Sequence, residues 1–195
     1  MNKIILDKEN NIELNILEDS VCNIKNRCDI EKIIIKLNDN VEFILNEYSE
    51  IEKRDYSIEV IQNNNSSFIY NHSFIVSDLY NLNININMNG NNSNNVINIH
   101  GINDGGKSNI IVDGTVKDNT KDNNLDEKIR ILNINNGKSH ILPNMYINTK
   151  NVIANHAASI TDIDKNYLFY MNSKGIDNDK AKELIINGFL DNDAK

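Results

Sequence analysis

The 195-residue chain has one proline, no tryptophan, 8 glycines and only two cysteines. Cys22 and Cys28 are too few for a disulfide framework or a four-thiolate metal site. With so little proline and glycine beside so much isoleucine, the chain is not a disordered linker. Basic residues are also short, 20 against 28 acidic, for a formal net charge of −8 and a pI near 5.0. A duplex-binding protein needs a basic face to displace counterions from phosphate, so nucleic acid is excluded as the partner. The N-terminus, MNKIILDKENNIEL, breaks each apolar run with a polar or acidic residue before it becomes a signal core or a membrane span. A cytoplasmic protein without membrane attachment is expected. Its length suits one domain with a core and a short appendage, not a multidomain enzyme.

What the chain has in excess is asparagine, at 40 positions, followed by isoleucine. AT-rich codons account for part of this bias, so composition alone does not report function. Patterning is more informative. From Ile4 to about Ile160 the apolar residues recur at spacing two, as in Ile12, Leu14 and Ile16; Val41, Phe43 and Leu45; Ile58 and Val60; Leu82, Ile84, Ile86 and Met88; and Ile97 and Ile99. That is the half-buried strand pattern. Between the runs lie turn-forming clusters, Asn63–Ser67, Asn89–Asn95 and Asn103–Gly106. Twelve or more short strands without intervening helices leave a sandwich, a barrel or a parallel β-helix. In a β-helix equivalent side chains stack coil on coil, where asparagine amides hydrogen-bond along the stack. Asn81, Asn83, Asn85, Asn87 and Asn89, alternating with apolar residues, suit that arrangement and favour the solenoid, although no strict repeat length is visible.

From Asp164 the period changes. Leu168, Phe169 and Met171 stand at helical spacing behind an Asp164 N-cap, with Gly175 at a suitable stop. Asp177 reads as a second N-cap, before a face of Ala181, Leu184, Ile185 and Phe189, with Gly188 near the helix end. The expected organisation is a mainly β core over residues 1–160 and a two-helix subdomain over 161–195. Helices of about ten residues are marginal alone and must dock on something.

Gly101, Gly106, Lys107 and Ser108 spell the phosphate-binding loop G-x-x-x-x-G-K-[ST] behind a strand-like run. The loop works by feeding a helix whose N-terminus faces the phosphates, whereas here a β-branched segment, Asn109–Val112, follows. A strand–turn–strand reading is therefore preferred. His72, His100 and His140 are isolated and read as surface or turn histidines, and both cysteines as ordinary half-buried thiols.

Three segments near the C-terminus belong together. They are Pro143-Asn144-Met145-Tyr146-Ile147; the strand from Val152 into His156-Ala157-Ala158-Ser159; and Leu168-Phe169-Tyr170-Met171-Asn172-Ser173-Lys174-Gly175-Ile176. This series resembles the ending of the SufB/SufD family, P-x-L-x-I, then H-[AG]-A-[ST], then L-F-Y-x-x-S-[RK]-G-[IL] and a closing helix, here with Ala181, Leu184 and Phe189. The match is specific over about 139–190 and looser over 105–138.

The resemblance implies a right-handed parallel β-helix with a short two-helix C-terminal subdomain, serving as a non-enzymatic scaffold in iron–sulfur cluster assembly. It further implies dimerisation with a second SufB/SufD-like chain, the same or different, through the last coils. A SufC-like ABC ATPase would dock on the helices, and a transient cluster would be held, with no tightly bound cofactor. His156 matches the family histidine near the nascent cluster, as an iron ligand or as a turn histidine bonded to backbone. SufB-type members flank that histidine with glutamates. Here Asn155 and Ala157 stand in those places, and neither cysteine falls in the C-terminal coils. For the ATPase, the expected contact set is Leu168, Phe169, Tyr170, Met171, Lys174, Gly175, Ile176, Leu184 and Phe189, part of which must instead pack the helices. Strand-like residues begin at Ile4, without the extra N-terminal region of larger members, as in a minimal scaffold or the short subunit of a complex. Two rivals are a β-helical module that has lost assembly function and a nucleotide-binding protein using Gly101–Ser108. Isothermal titration with ATP tests the latter, and no binding is expected either to the wild type or to a Lys107→Ala control.

Overall fold

A computed structural model describes residues 1–190, and all its strand pairings are parallel. One stack runs through β1 (Asn2–Ile4), β3 (Ser20–Lys25), the first halves of β5 (Glu42–Gln62) and β6 (Ser67–Met88), β7 (Asn94–Asp104), β9 (Asn123–Ile134) and β11 (Val152–Asp162). The second runs through β2 (Asn11–Ile16), β4 (Lys32–Leu37), the second halves of β5 and β6, β8 (Lys107–Val116) and β10 (Lys138–Ile147). Each coil thus lays one strand on each of two facing sheets, making a parallel β-solenoid of about five turns with its core between them. The strands are fewer and longer than the sequence pattern suggests. β5 and β6 stay extended round the corner, where consecutive residues face outward, and in their mutual pairing the register slips between Ile51 and Lys53.

The coils lengthen along the chain. Asn2 lies opposite Ser20, 18 residues on, Glu42 opposite Ser67, 25 on, and Asn94 opposite Asn124, 30 on. A repeat that grows with each coil has no fixed period, which is why none is visible in the sequence.

Asparagine has two structural uses here. Seven of the eight non-glycine residues with positive φ are asparagines, the left-handed turn conformation that this side chain tolerates best after glycine. Others form amide ladders. Asn46 donates to Asn23, Asn71 to Asn46 and Asn98 to Asn71, each at 2.9 Å, on the outer face of the first sheet. At the turns, Asn65 donates to Asn40 and Asn92 to Asn65. Of the alternating run at 81–89, Asn81 joins a ladder between Asp55 and Asn109, while Asn83, Asn85 and Asn87 make no such side-chain bonds among the described residues.

The core is not wholly apolar. Glu47 points inward, where its carboxylate receives Arg54 Nη1 at 2.7 Å and the Tyr70 hydroxyl at 2.8 Å. Arg54 also donates to the Ile30 carbonyl and covers the Tyr56 ring at 3.7 Å. His72 stands one coil above Glu47 and bonds the Tyr80 hydroxyl at 3.0 Å. Burial alone would raise the Glu47 pKa. His72, the Arg54 guanidinium and the two donated hydrogen bonds outweigh it and hold the carboxyl below the usual range. Burial pushes His72 down, so it stays neutral near pH 7. His72 and His100 are therefore buried strand residues, contrary to the surface or turn placement expected of isolated histidines, and only His140 is exposed.

The described part of the C-terminal segment forms α1 (Lys165–Ser173) and α2 (Asn178–Leu190). Asp164 caps α1 by accepting from the Asn166 N–H, and Asp177 caps α2 by accepting from that of Lys180, both at 2.8 Å. Gly175 takes φ +84° just past α1, whereas Gly188 lies within α2. Phe189 packs on His100 with ring centroids 5.6 Å apart and lies beneath the Arg130 guanidinium. These contacts set α2 against the outer face of the first sheet, where His100, Ile102 and Leu132 are buried. The end of the solenoid is left uncovered.

Glu47→Ala leaves the Arg54 charge buried without its partner. Urea denaturation is expected to show a loss of about 3–5 kcal/mol. The double variant Glu47→Met/Arg54→Met is expected to be much less damaged.

Candidate functional site

β10 and β11 close the two sheets, and each is paired on one side only. Their outer edges carry backbone donors and acceptors without strand partners among the described residues, an arrangement that invites pairing with another chain. Exposed apolar side chains gather there: Leu142, Tyr146 and Ile147 on β10, and Ile153 and Ile160 on β11. Pro143 is tolerated in β10 because an edge strand can lack one N–H.

At the middle of β11 is His156, in register with Glu127 of β9. Parallel neighbours in register point to the same side, about 4.8 Å apart. His156 therefore stands on the inner face directly above Glu127, flanked by Ala154 and Ala158, which lie over Leu125 and Ile129. Among the described residues no strand of the second sheet faces β11, so the imidazole borders the open mouth of the core.

Glu127 is unusual among the inward residues. It is 1% exposed, and neither carboxylate oxygen has a hydrogen-bond partner among the described residues. Its side chain reaches across the core to β8, where a Cβ at Gly114 would come within 2.8 Å of Oε1. Gly114 thus supplies the slot that the carboxyl group occupies. Burial above all, then the charges of Asp113 and Asp126, push the Glu127 pKa up to about 8. The neighbours in sequence, Asn155 and Ala157, conceal this arrangement, because the carboxyl group beside His156 comes from 29 residues upstream.

Imidazole nitrogen and carboxylate oxygen suit first-row divalent cations. The thiols lie far along the stack, in the first coils. Burial and then Glu47 raise Cys22 to about 11, and burial foremost raises Cys28, so neither is an activated thiolate. No group of three or more His, Cys, Asp or Glu residues is placed to hold a metal ion among the described residues.

The helical contact set divides into two groups. Phe169, 76% exposed, and Tyr170, 60% exposed, face solvent with Tyr167, Leu184, Lys174 and Gly175. Leu168, Met171 and Ile176 are half-buried, and Phe189 is engaged with the sheet. α1 contacts α2 and has no buried residue among those described.

The phosphate-loop spelling has a packing explanation. Gly101 sits inside β7, where a Cβ would lie 2.1 Å from the Phe74 ring, and Gly106 rests on the backbone of the preceding coil. Lys107 and Ser108 begin strand β8, so no helix N-terminus faces the loop.

A family model described as SUF system FeS cluster assembly, SufBD core domain, matches residues 42–189. No curated protein matches the chain.

The state of Glu127 has a measurable consequence. A carboxyl group raised from its ordinary 4.5 to about 8 on folding contributes stability that is complete below pH 4.5 and is lost as pH rises through 8. In metal-free protein, Glu127→Gln should match the wild-type melting temperature near pH 4.5. By pH 8 to 9 it should exceed it by about 2–4 °C.

Proposed function

The chain belongs to the SufBD core family of iron–sulfur cluster assembly, and we propose that it is a non-enzymatic scaffold subunit of a cytoplasmic SUF-type complex. In this reading it dimerises through β10 and β11 with a second chain of the family, docks a SufC-like ATPase on α1 and α2, and holds a transient cluster near His156. The observation that carries it is the open end of the solenoid. Two strand edges and five exposed apolar side chains surround a histidine on the inner face. Such an edge is a liability in a lone protein and an asset in one that completes its sheets on a partner.

The helices support the second contact. An α1 that buries none of its described residues, with exposed Tyr167, Phe169 and Tyr170, offers the kind of aromatic anchor that dominates protein interfaces. Lys174, Gly175 and Ile176 continue that surface across the turn to α2. Leu168, Met171 and Leu184 complete it, and Phe189 positions it by fastening α2 to the sheet. Hydrolysis of ATP belongs to the partner, and its stroke would reach the cluster site through the sheet beneath α2. No helix among the described residues is long and apolar enough to cross a membrane, which agrees with assembly in the cytoplasm.

Co-purification with the ATPase tests the helical contact. Truncation before Asp164 and the milder Phe169→Ala/Tyr170→Ala pair should each abolish or strongly weaken association while circular dichroism retains the β signal. In light scattering, Ile153→Lys/Ile160→Lys should shift the scaffold toward monomer without affecting ATPase binding. A folded truncation that still binds the ATPase would sink the docking assignment.

A further inference from the structure

We propose that Glu127 and His156 together form a nitrogen–oxygen site for ferrous iron at the open end of the solenoid, able to take the ion without any cysteine of this chain. The proposal rests on the reading of His156 as a ligand and adds the second donor, its chemistry and the ion it selects.

Three observations carry it. First, the two residues are register partners on adjacent strands, β9 and β11, and face the same side, so their side chains converge from consecutive coils. Second, both oxygens of the Glu127 carboxylate lack a hydrogen-bond partner among the described residues although the side chain is buried. A buried, unsatisfied carboxyl group costs free energy that an apolar residue would not, and every other inward residue at its level of the stack is apolar: Leu45 and Ile97 below, Leu125 and Ile129 beside it. Third, the space is built for it. Gly114 lacks the Cβ that would collide with Oε1, and Ala154 and Ala158 leave His156 without bulky neighbours on its face.

The donor set selects the ion. A neutral imidazole and a carboxylate bind iron(II) well, whereas copper(I) and preformed clusters favour thiolates. Cys22 and Cys28 are in the first coils and are held as neutral thiols. Two ligands from one chain leave most coordination positions facing the open mouth, free for water, incoming sulfide or groups of a second chain. Binding is simple coordination. The carboxyl proton is released to solvent, and the iron keeps its oxidation state.

The test is an anaerobic titration of the full chain with cobalt(II), read by its visible ligand-field bands, repeated with ferrous iron by calorimetry. Wild type, Glu127→Gln and His156→Ala are compared, with melting curves confirming that each is folded. Glu127→Gln replaces a buried neutral acid by a buried neutral amide, so it keeps the fold. The expected result is binding to the wild type, weakened about tenfold or more in each variant, and no sulfur-to-cobalt charge-transfer band. If Glu127→Gln binds as the wild type does while His156→Ala fails, the proposal is overturned and His156 survives as a lone ligand. Loss in Glu127→Gln alone overturns the paired site and the ligand role of His156 together. Absence of binding to the wild type, or a thiolate band, also overturns the proposal.

Discussion

A parallel stack can satisfy its backbone only through the coil above and the coil below. Every strand here depends on that vertical pairing, and so do the side chains. Asparagines on the outer face bond to asparagines one coil away, inward residues pack on inward residues of the neighbouring coil, and the glycines at 101, 106 and 114 are sites where an adjacent or facing segment needs the room. The same rule leaves one place unsatisfied. At the last coil there is nothing further to pair with, and the chain puts its exposed edge, its apolar residues and His156 there.

Much of this architecture can be read from the one-dimensional pattern, because spacing two is local. The inward sets Ile12–Ile16, Phe43–Leu45, Ile58–Val60 and Leu82–Met88 all sit on the core face, and the caps at Asp164 and Asp177 mark the helices. The asparagine ladders are legible in kind but not in position, since a ladder needs a coil length and the coil length changes. The inward polar residues are hidden for the same reason. Glu47 and Arg54 look like ordinary surface charges in an alternating strand until the strand is seen to turn a corner between them and bring both inside. Glu127 is concealed more thoroughly. It sits between Asp126 and Lys128 in a charged run, and only the register with β11 brings it to His156.

The two polar features of the interior differ in character. Around Glu47 nearly every donor and acceptor is matched, by Arg54, Tyr70, Ser49 and the backbone, so the cluster behaves as a fastening between coils. Around Glu127 nothing is matched among the described residues. A family whose members assemble clusters at a scaffold has reason to keep such a group near a subunit end. Function tolerates there a destabilised side chain that packing alone would remove.

The steady growth of the coils, from 18 residues at the start to 30 near the end, bears on how the chain finds its fold. Identical repeats possess translational symmetry: a strand can slip by one whole coil and pair almost as well, which yields kinetic traps and misaligned stacks. Unequal coils break that degeneracy, because a slipped strand would meet a neighbour of the wrong length and put its turns out of step. In a sequence written so largely in two amino acids, length itself serves as the address that tells each coil where it belongs.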